Sequence, residues 1–171
     1  MRVTQNFVIL YILMVIGQVI MCNYTYLGPY IMLSILPVMV FCIPLKASTL
    51  TCMIIAFASG LAVDWLSEGL IGINAASLVP VALARKGIVR MFFGEDLLSR
   101  NDSFSFGKFG ALKVSAAVST AIAVFLAIYI FLDGAGTRPT WYNLTYFGIS
   151  LACNWLLSLL VTHILTPDDR K

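Results

Sequence analysis

The sequence predicts an all-α polytopic membrane protein, a six-transmembrane-helix bundle forming one domain over residues 1–171. Three observations predict it. Of the 171 residues, 60% are hydrophobic and 11% charged, whereas a soluble domain carries roughly 45–50% apolar residues, glycine included, and about 25% charged ones. Six apolar segments, at about 6–22, 29–45, 48–66, 70–85, 111–132 and 143–165, lie between polar or helix-breaking residues. Lysine and arginine fall almost entirely on every second connection. A soluble core in so short a chain cannot bury this much apolar surface, which argues against a cytosolic enzyme, a disordered regulator and a nucleic-acid-binding domain. Six spans of about 18–20 residues take about 110–120 positions, so function must reside in the bundle or on its faces.

The first segment follows Arg2 and runs through the apolar stretch Phe7–Met21. It has the outline of a signal peptide, but Met21, Cys22, Asn23 and Tyr24 offer no small-x-small cleavage site, so it reads as a retained span. Pro44, Lys46 and Ala47 separate the second segment from the third, and Ser67, Glu68 and Gly69 the third from the fourth, which predicts antiparallel hairpins. The fourth segment is short and contains Asn74, Ser77 and Pro80, leaving open a full span or a kinked, partly re-entrant one. The 86–110 connection interleaves Lys86, Arg90, Arg100 and Lys108 with Phe92, Phe93, Leu97, Phe104 and Phe106. Such a segment suits the anionic inner leaflet, either as a simple interfacial anchor or as a docking surface.

In the fifth segment Ser115, Ser119 and Ala123 recur among Ala116, Ala117 and Ala121, which permits close approach to the sixth. The sixth carries Ser150, Asn154, Ser158 and Thr162 at a strict four-residue interval, with Tyr146 beginning the row. That face turns from lipid, as interhelical glue or as the lining of a ligand cavity.

With the N-terminus cytoplasmic, the inner segments hold Arg2, Lys46, Arg85, Lys86, Arg90, Arg100, Lys108, Lys113, Arg170 and Lys171, ten residues, against Arg138 alone outside. Both termini are then cytoplasmic. Tyr24, Tyr26 and Tyr30, and Trp141, Tyr142 and Tyr146, cluster at outer boundaries where amphipathic rings favour the headgroup level.

Reactive constellations are lacking in the sequence. Cys22, Cys42, Cys52 and Cys153 form no C-x-x-C pair and read as packed small hydrophobes rather than as a disulfide or zinc framework. His163 stands alone, and no metalloprotease, phosphate-loop or dinucleotide fingerprint occurs, so neither enzyme chemistry nor a cofactor or metal is expected. Asp64 is the most informative residue, one turn after Gly60 and one before Glu68 on the same helix face. A carboxylate there is a proton or cation site, a substrate contact, a latch to Asn74, or a cap exposed to headgroups and water.

The run Gly60-Leu-Ala-Val-Asp64-Trp-Leu-Ser-Glu-Gly-Leu-Ile-Gly72-Ile-Asn74-Ala75-Ala76, with the following apolar stretch ending at Arg85, resembles the rod shape-determining protein MreD family of the bacterial inner membrane. The resemblance covers about 30 residues in motif, together with length, span number and the basic connection. It implies a non-enzymatic scaffold of the cell-wall elongation machinery that maintains cell shape, binding the bitopic protein MreC and linking it to MreB filaments and wall-synthesis enzymes. In its six-helix architecture that family is similar to the substrate-binding subunits of energy-coupling-factor vitamin transporters, the alternative reading. The structural and interaction candidates are Gly60, Asp64, Gly72, Asn74, Arg85, Lys86, Arg90 and Asn154. Partner contact is expected through the basic connection and through small-residue faces around Ala56, Gly60 and Ala117, the alternative for those faces being packing within the bundle.

Overall fold

The computed structural model describes residues 2–25, 28, 30–67, 70–94, 111–134 and 137–165. Among these the chain is all-helical, with α1 Arg2–Tyr24, α2 Leu36–Phe41, α3 Thr49–Leu66, α4 Ile73–Phe93, α5 Ala111–Gly134 and α6 Thr140–Leu165. Four of them, α1, α3, α5 and α6, are long and apolar enough to cross a membrane. The chain is a membrane protein.

Side-chain contacts fix the direction of each element. Asn23 donates to the Leu66 carbonyl and Tyr11 to the Ser59 hydroxyl, so α1 and α3 run parallel with their C-termini at one end. Asp64 meets Asn74 at that end and Arg85 meets Cys52 towards the other, which makes α3 and α4 antiparallel. Tyr129 and Asp133 of α5 join the end where α1 and α3 finish, and Trp155 donates to Ser115 across the antiparallel α5–α6 pair. Because α1 and α3 are parallel, residues 30–48 return the length of the bundle between them. The closest-packed pairs are α3–α4, α4–α5 and α5–α6, whereas α1 touches its neighbours sparsely and leaves Val8, Ile9, Ile12, Leu13, Ile16 and Ile20 about half exposed.

The second apolar segment departs from the expected span over 29–45. Helix covers Leu36–Phe41 alone, and residues 31–34 are non-helical. Pro37 occupies the first helical turn, where its missing N–H costs nothing, and Pro44 prevents continuation beyond Cys42. The fourth segment departs in the opposite sense, since α4 runs for 21 residues through Lys86 and Arg90 and ends at Gly94, whose φ of +77° suits a glycine. The expected connection therefore begins as helix. Glu68, Tyr26, Arg100 and Lys108 lie outside the described residues.

Two further expectations are corrected or extended by burial. Ala56, Gly60 and Ala117 are buried inside the bundle rather than displayed to lipid, so these small-residue faces serve intramolecular packing. Ser150, Asn154, Ser158 and Thr162 are all buried, as is Tyr146. The basic residues Lys46, Lys86, Arg90 and Lys113 gather at the end where α3 and α5 begin, and Arg138 stands at the opposite end.

Candidate functional site

The α3–α4 hairpin brings Gly60, Asp64, Gly72 and Asn74 together. A Cβ on Gly60 would lie 2.6 Å from the backbone N and Cα of Ala75, so the helices touch backbone to backbone there. Gly72 is the residue before the first turn of α4 and has φ +98°, a left-handed conformation that side chains disfavour. Its own N–H donates to Asp64 Oδ2 at 2.9 Å. The same carboxylate accepts from the Asn74 amide N–H at 3.3 Å, from Asn74 Nδ2 at 2.8 Å and from the Ala75 N–H at 3.3 Å. One carboxylate thus satisfies several of the donors that a helix N-terminus leaves without partners, where the helix dipole also favours negative charge. Asp64 is 2% exposed, and none of these four donors is a cation.

Arg85 sits about 18 Å along α4 from its start at 1.5 Å per residue and is 1% exposed. Its Nε donates to the Phe41 carbonyl at 2.9 Å, a terminal nitrogen donates to the Ile43 carbonyl, and the other faces the Cys52 sulfur at 3.5 Å. The Phe41 and Ile43 carbonyls lie at the C-terminal end of α2, where orphan acceptors carry partial negative charge. The guanidinium therefore closes the end of the broken segment, and the segment gives a deeply placed cation its acceptors. Lys86, one residue on, is exposed, and Arg90 is exposed one turn later.

Asn154 holds the other half of the broken segment. Its Oδ1 accepts from the Ser34 N–H at 2.7 Å, and its Nδ2 donates to the Met32 carbonyl at 2.6 Å and to the Ser150 carbonyl at 2.8 Å. Ser150 accepts from the Met32 N–H at 2.9 Å. From the opposite side Gln18 of α1, fully buried, donates to the Leu33 carbonyl and accepts from the Ile35 N–H. Two amides and a hydroxyl thus replace the helical hydrogen bonds that residues 31–35 lack, which is the condition for irregular backbone at membrane depth. Ser158 and Thr162, lower on the same stripe, donate to carbonyls of α6 itself.

Beside the hairpin lies a cavity of about 680 Å³, where α1, α3 and α5 end and α4 begins. Asp64, Asn74, Asp133, Tyr129, Asn23 and Met32 are among its lining residues. Asp133 accepts from Arg138 at 2.6 Å, and Arg138 lies over the Tyr142 ring, 5.5 Å from its centroid. Burial lowers the Arg138 pKa, but the hydrogen bond and charge of Asp133 outweigh it and the net displacement is upward. Tyr142 contacts Tyr30, Trp141 and Tyr146, so Tyr30 of the first aromatic cluster read from the sequence joins the second, while Tyr24 stays exposed.

Gln18, Tyr129 and Asp133 are site residues that the sequence reading passed over. Gln18 had a signal, a lone amide inside an otherwise apolar run. Tyr129 and Asp133 had none, because their place beside Asp64 depends on how α5 packs. Comparison with protein-family models, with characterised proteins and with solved structures finds no match to this chain.

Proposed function

We propose that this chain is a non-enzymatic membrane scaffold of the MreD type, acting in bacterial cell-wall elongation and cell-shape maintenance. In this reading it is a six-span inner-membrane bundle with both termini cytoplasmic, which binds an MreC-like bitopic protein and couples it to MreB-like filaments and wall-synthesis enzymes. The observation that carries the reading is the use made of the motif behind the resemblance. Gly60 admits α4, Asp64 and Gly72 cap it, and Arg85 closes the broken segment. A motif whose members build one locked hairpin suits a protein that works by presenting a fixed shape. The alternating element directions support six crossings, and the gathering of basic residues at one end supports a cytoplasmic placement of that end. With the small-residue faces buried, a single-span partner would bind an exposed apolar face such as that of α1, which packs most sparsely against the rest of the bundle.

Purification in mild detergent from the bacterium that makes the protein tests this reading. An MreC-like single-span protein should co-purify, and depletion should cost the cells their rod shape. Co-purification of a paired ATPase module instead would overturn it. That outcome belongs to the second reading, a substrate-binding subunit of an energy-coupling-factor-type vitamin transporter, which the cavity beside Asp64 favours.

A further inference from the structure

We propose that the basic end of the bundle binds an anionic phospholipid, its phosphate held by Lys86, Arg90 and Lys113 and an acyl chain laid along the exposed face of α4. Lys46, Lys86, Arg90 and Lys113 are exposed at this end. The carboxylates of the described residues, Asp64 and Asp133, both line the cavity at the other end. Lys113 lies as far along α5 from Tyr129 as Arg90 lies along α4 from Asn74, and Tyr129 and Asn74 line the same cavity. Because α4 and α5 are antiparallel and closely packed, Lys113 and Arg90 stand at one height on two neighbouring helices. Lys86 and Arg90, one turn apart on α4, repel each other, and an anion between them relieves that repulsion.

The place of the phosphate follows from Gly87. Glycine inside a helix is unfavourable, and elsewhere in the fold it has a reason within the chain. Gly60 meets the backbone of Ala75, while Gly72 and Gly94 have positive φ. A Cβ on Gly87 would meet nothing within 4 Å, and the residue is exposed, so no contact among the described residues accounts for its missing side chain. It follows Lys86 and precedes Arg90 on the outer side of α4, where it leaves a notch between two cations. An anionic oxygen can approach the helix there more closely than beside a side chain. Gly17 and Gly148 are equally open, but no lysine or arginine lies within a turn of either.

The apolar surface beside these charges selects a lipid. α4 packs between α3 and α5, two helices long and apolar enough to cross a membrane. Ala76, Leu83, Gly87 and Arg90 share its exposed face, so an apolar strip leads from the cations towards the other end of the bundle. Met91 and Leu112, next to Arg90 and Lys113, are strongly exposed as well. A free phosphate would use the charges and leave the strip bare, and an acidic protein segment would set charged side chains against it. A phospholipid uses both, which is the pattern of basic clusters that read anionic headgroups.

The proposal holds whichever side of the membrane the basic end faces, and whether the chain acts as a scaffold or as a transporter subunit. Native mass spectrometry of the full-length protein released from detergent tests it, with phosphatidylglycerol and phosphatidylcholine of identical acyl chains titrated in turn. The first phosphatidylglycerol should bind about tenfold more tightly than phosphatidylcholine, which carries the same phosphate without net charge. The double variant Lys86→Gln/Lys113→Gln should lose that preference, and Lys86→Arg/Lys113→Arg should keep it. Gly87→Leu, made where a side chain has open space, should weaken phosphatidylglycerol at least fivefold with every charge in place. Arg138→Gln, at the opposite end, should leave binding unchanged. Equal binding of the two lipids by the wild type overturns the proposal, as does a preference that survives the double Gln variant or is lost in Arg138→Gln. Unchanged affinity in Gly87→Leu would show diffuse attraction to charge rather than a site, and overturns it too. Displacement of the lipid by inorganic phosphate at equal concentration would assign the cluster to a free anion, and displacement by hexaglutamate to an acidic protein segment; either overturns it. Co-purification of wall-synthesis partners from cells is a separate measurement, so the scaffold reading and this one fail separately.

Discussion

Gly60 leaves no room for a side chain, because the atoms a Cβ would meet are backbone N and Cα of Ala75, which cannot swing aside. Gly60→Ala should therefore cost about 1–3 kcal/mol, the usual range for overpacking, read as a lower thermal midpoint in detergent. Asp64 is a different kind of constraint, since its two oxygens take four donors at the start of α4. Asp64→Asn retains one acceptor oxygen and the side-chain shape, whereas Asp64→Leu leaves buried N–H groups unpaired at about 1–3 kcal/mol each. Membrane abundance should fall in the order wild type, Asn, Leu. Equal abundance of both variants with function lost in both would show that the charge acts outside the hairpin. These contacts were legible from the sequence because they are local, with eight to eleven residues between partners. The spacing Gly60, Asp64, Gly72, Asn74 already placed a carboxylate opposite a helix start.

The element least legible was the second segment. Its composition is that of a span, and nothing within 29–45 announces that residues 31–35 will bond to side chains 15 to 122 positions away. Pro37 and Pro44 limit the helix, but the choice of a non-helical approach to it depends on Gln18 and Asn154 arriving from two other helices. Because both amides hold the same few residues, their effects should not add. Gln18→Leu and Asn154→Leu should each destabilise the protein, and the double variant should deviate from the sum by more than about 0.5 kcal/mol, beyond the additivity expected of independent sites. Strict additivity in thermal unfolding would mean that the segment is fixed by something else. At the other end of the segment, Arg85→Lys keeps the charge but loses the planar fork that reaches two carbonyls and a sulfur. It should destabilise nearly as much as Arg85→Met, which a comparison of melting midpoints decides.

At the scale of the whole molecule the amphipathic pattern says little, because each long helix is apolar nearly all round. What organises the bundle is the polar minority. Gln18, Asp64, Asn74, Arg85, Asn154 and Ser150 are all buried and each bonds across elements, which suits a medium where apolar contact alone does not distinguish a neighbouring helix from lipid. The same directions that these bonds impose carry the topology. If α1, α3 and α5 rise towards the cavity and residues 30–48, α4 and α6 descend from it, then Lys46, Lys86 and Lys113 share one side of the membrane and Thr137 lies on the other. Cysteine accessibility tests this once the native thiols are replaced, a necessary step because Cys22 is exposed and lines the cavity. In that background an impermeant maleimide applied to intact cells should label Thr137→Cys and spare Lys86→Cys until the membrane is opened. Labelling of Lys86→Cys from outside, with Thr137→Cys spared, would mean that the bundle is inverted, and the cavity would then open towards the cytoplasm.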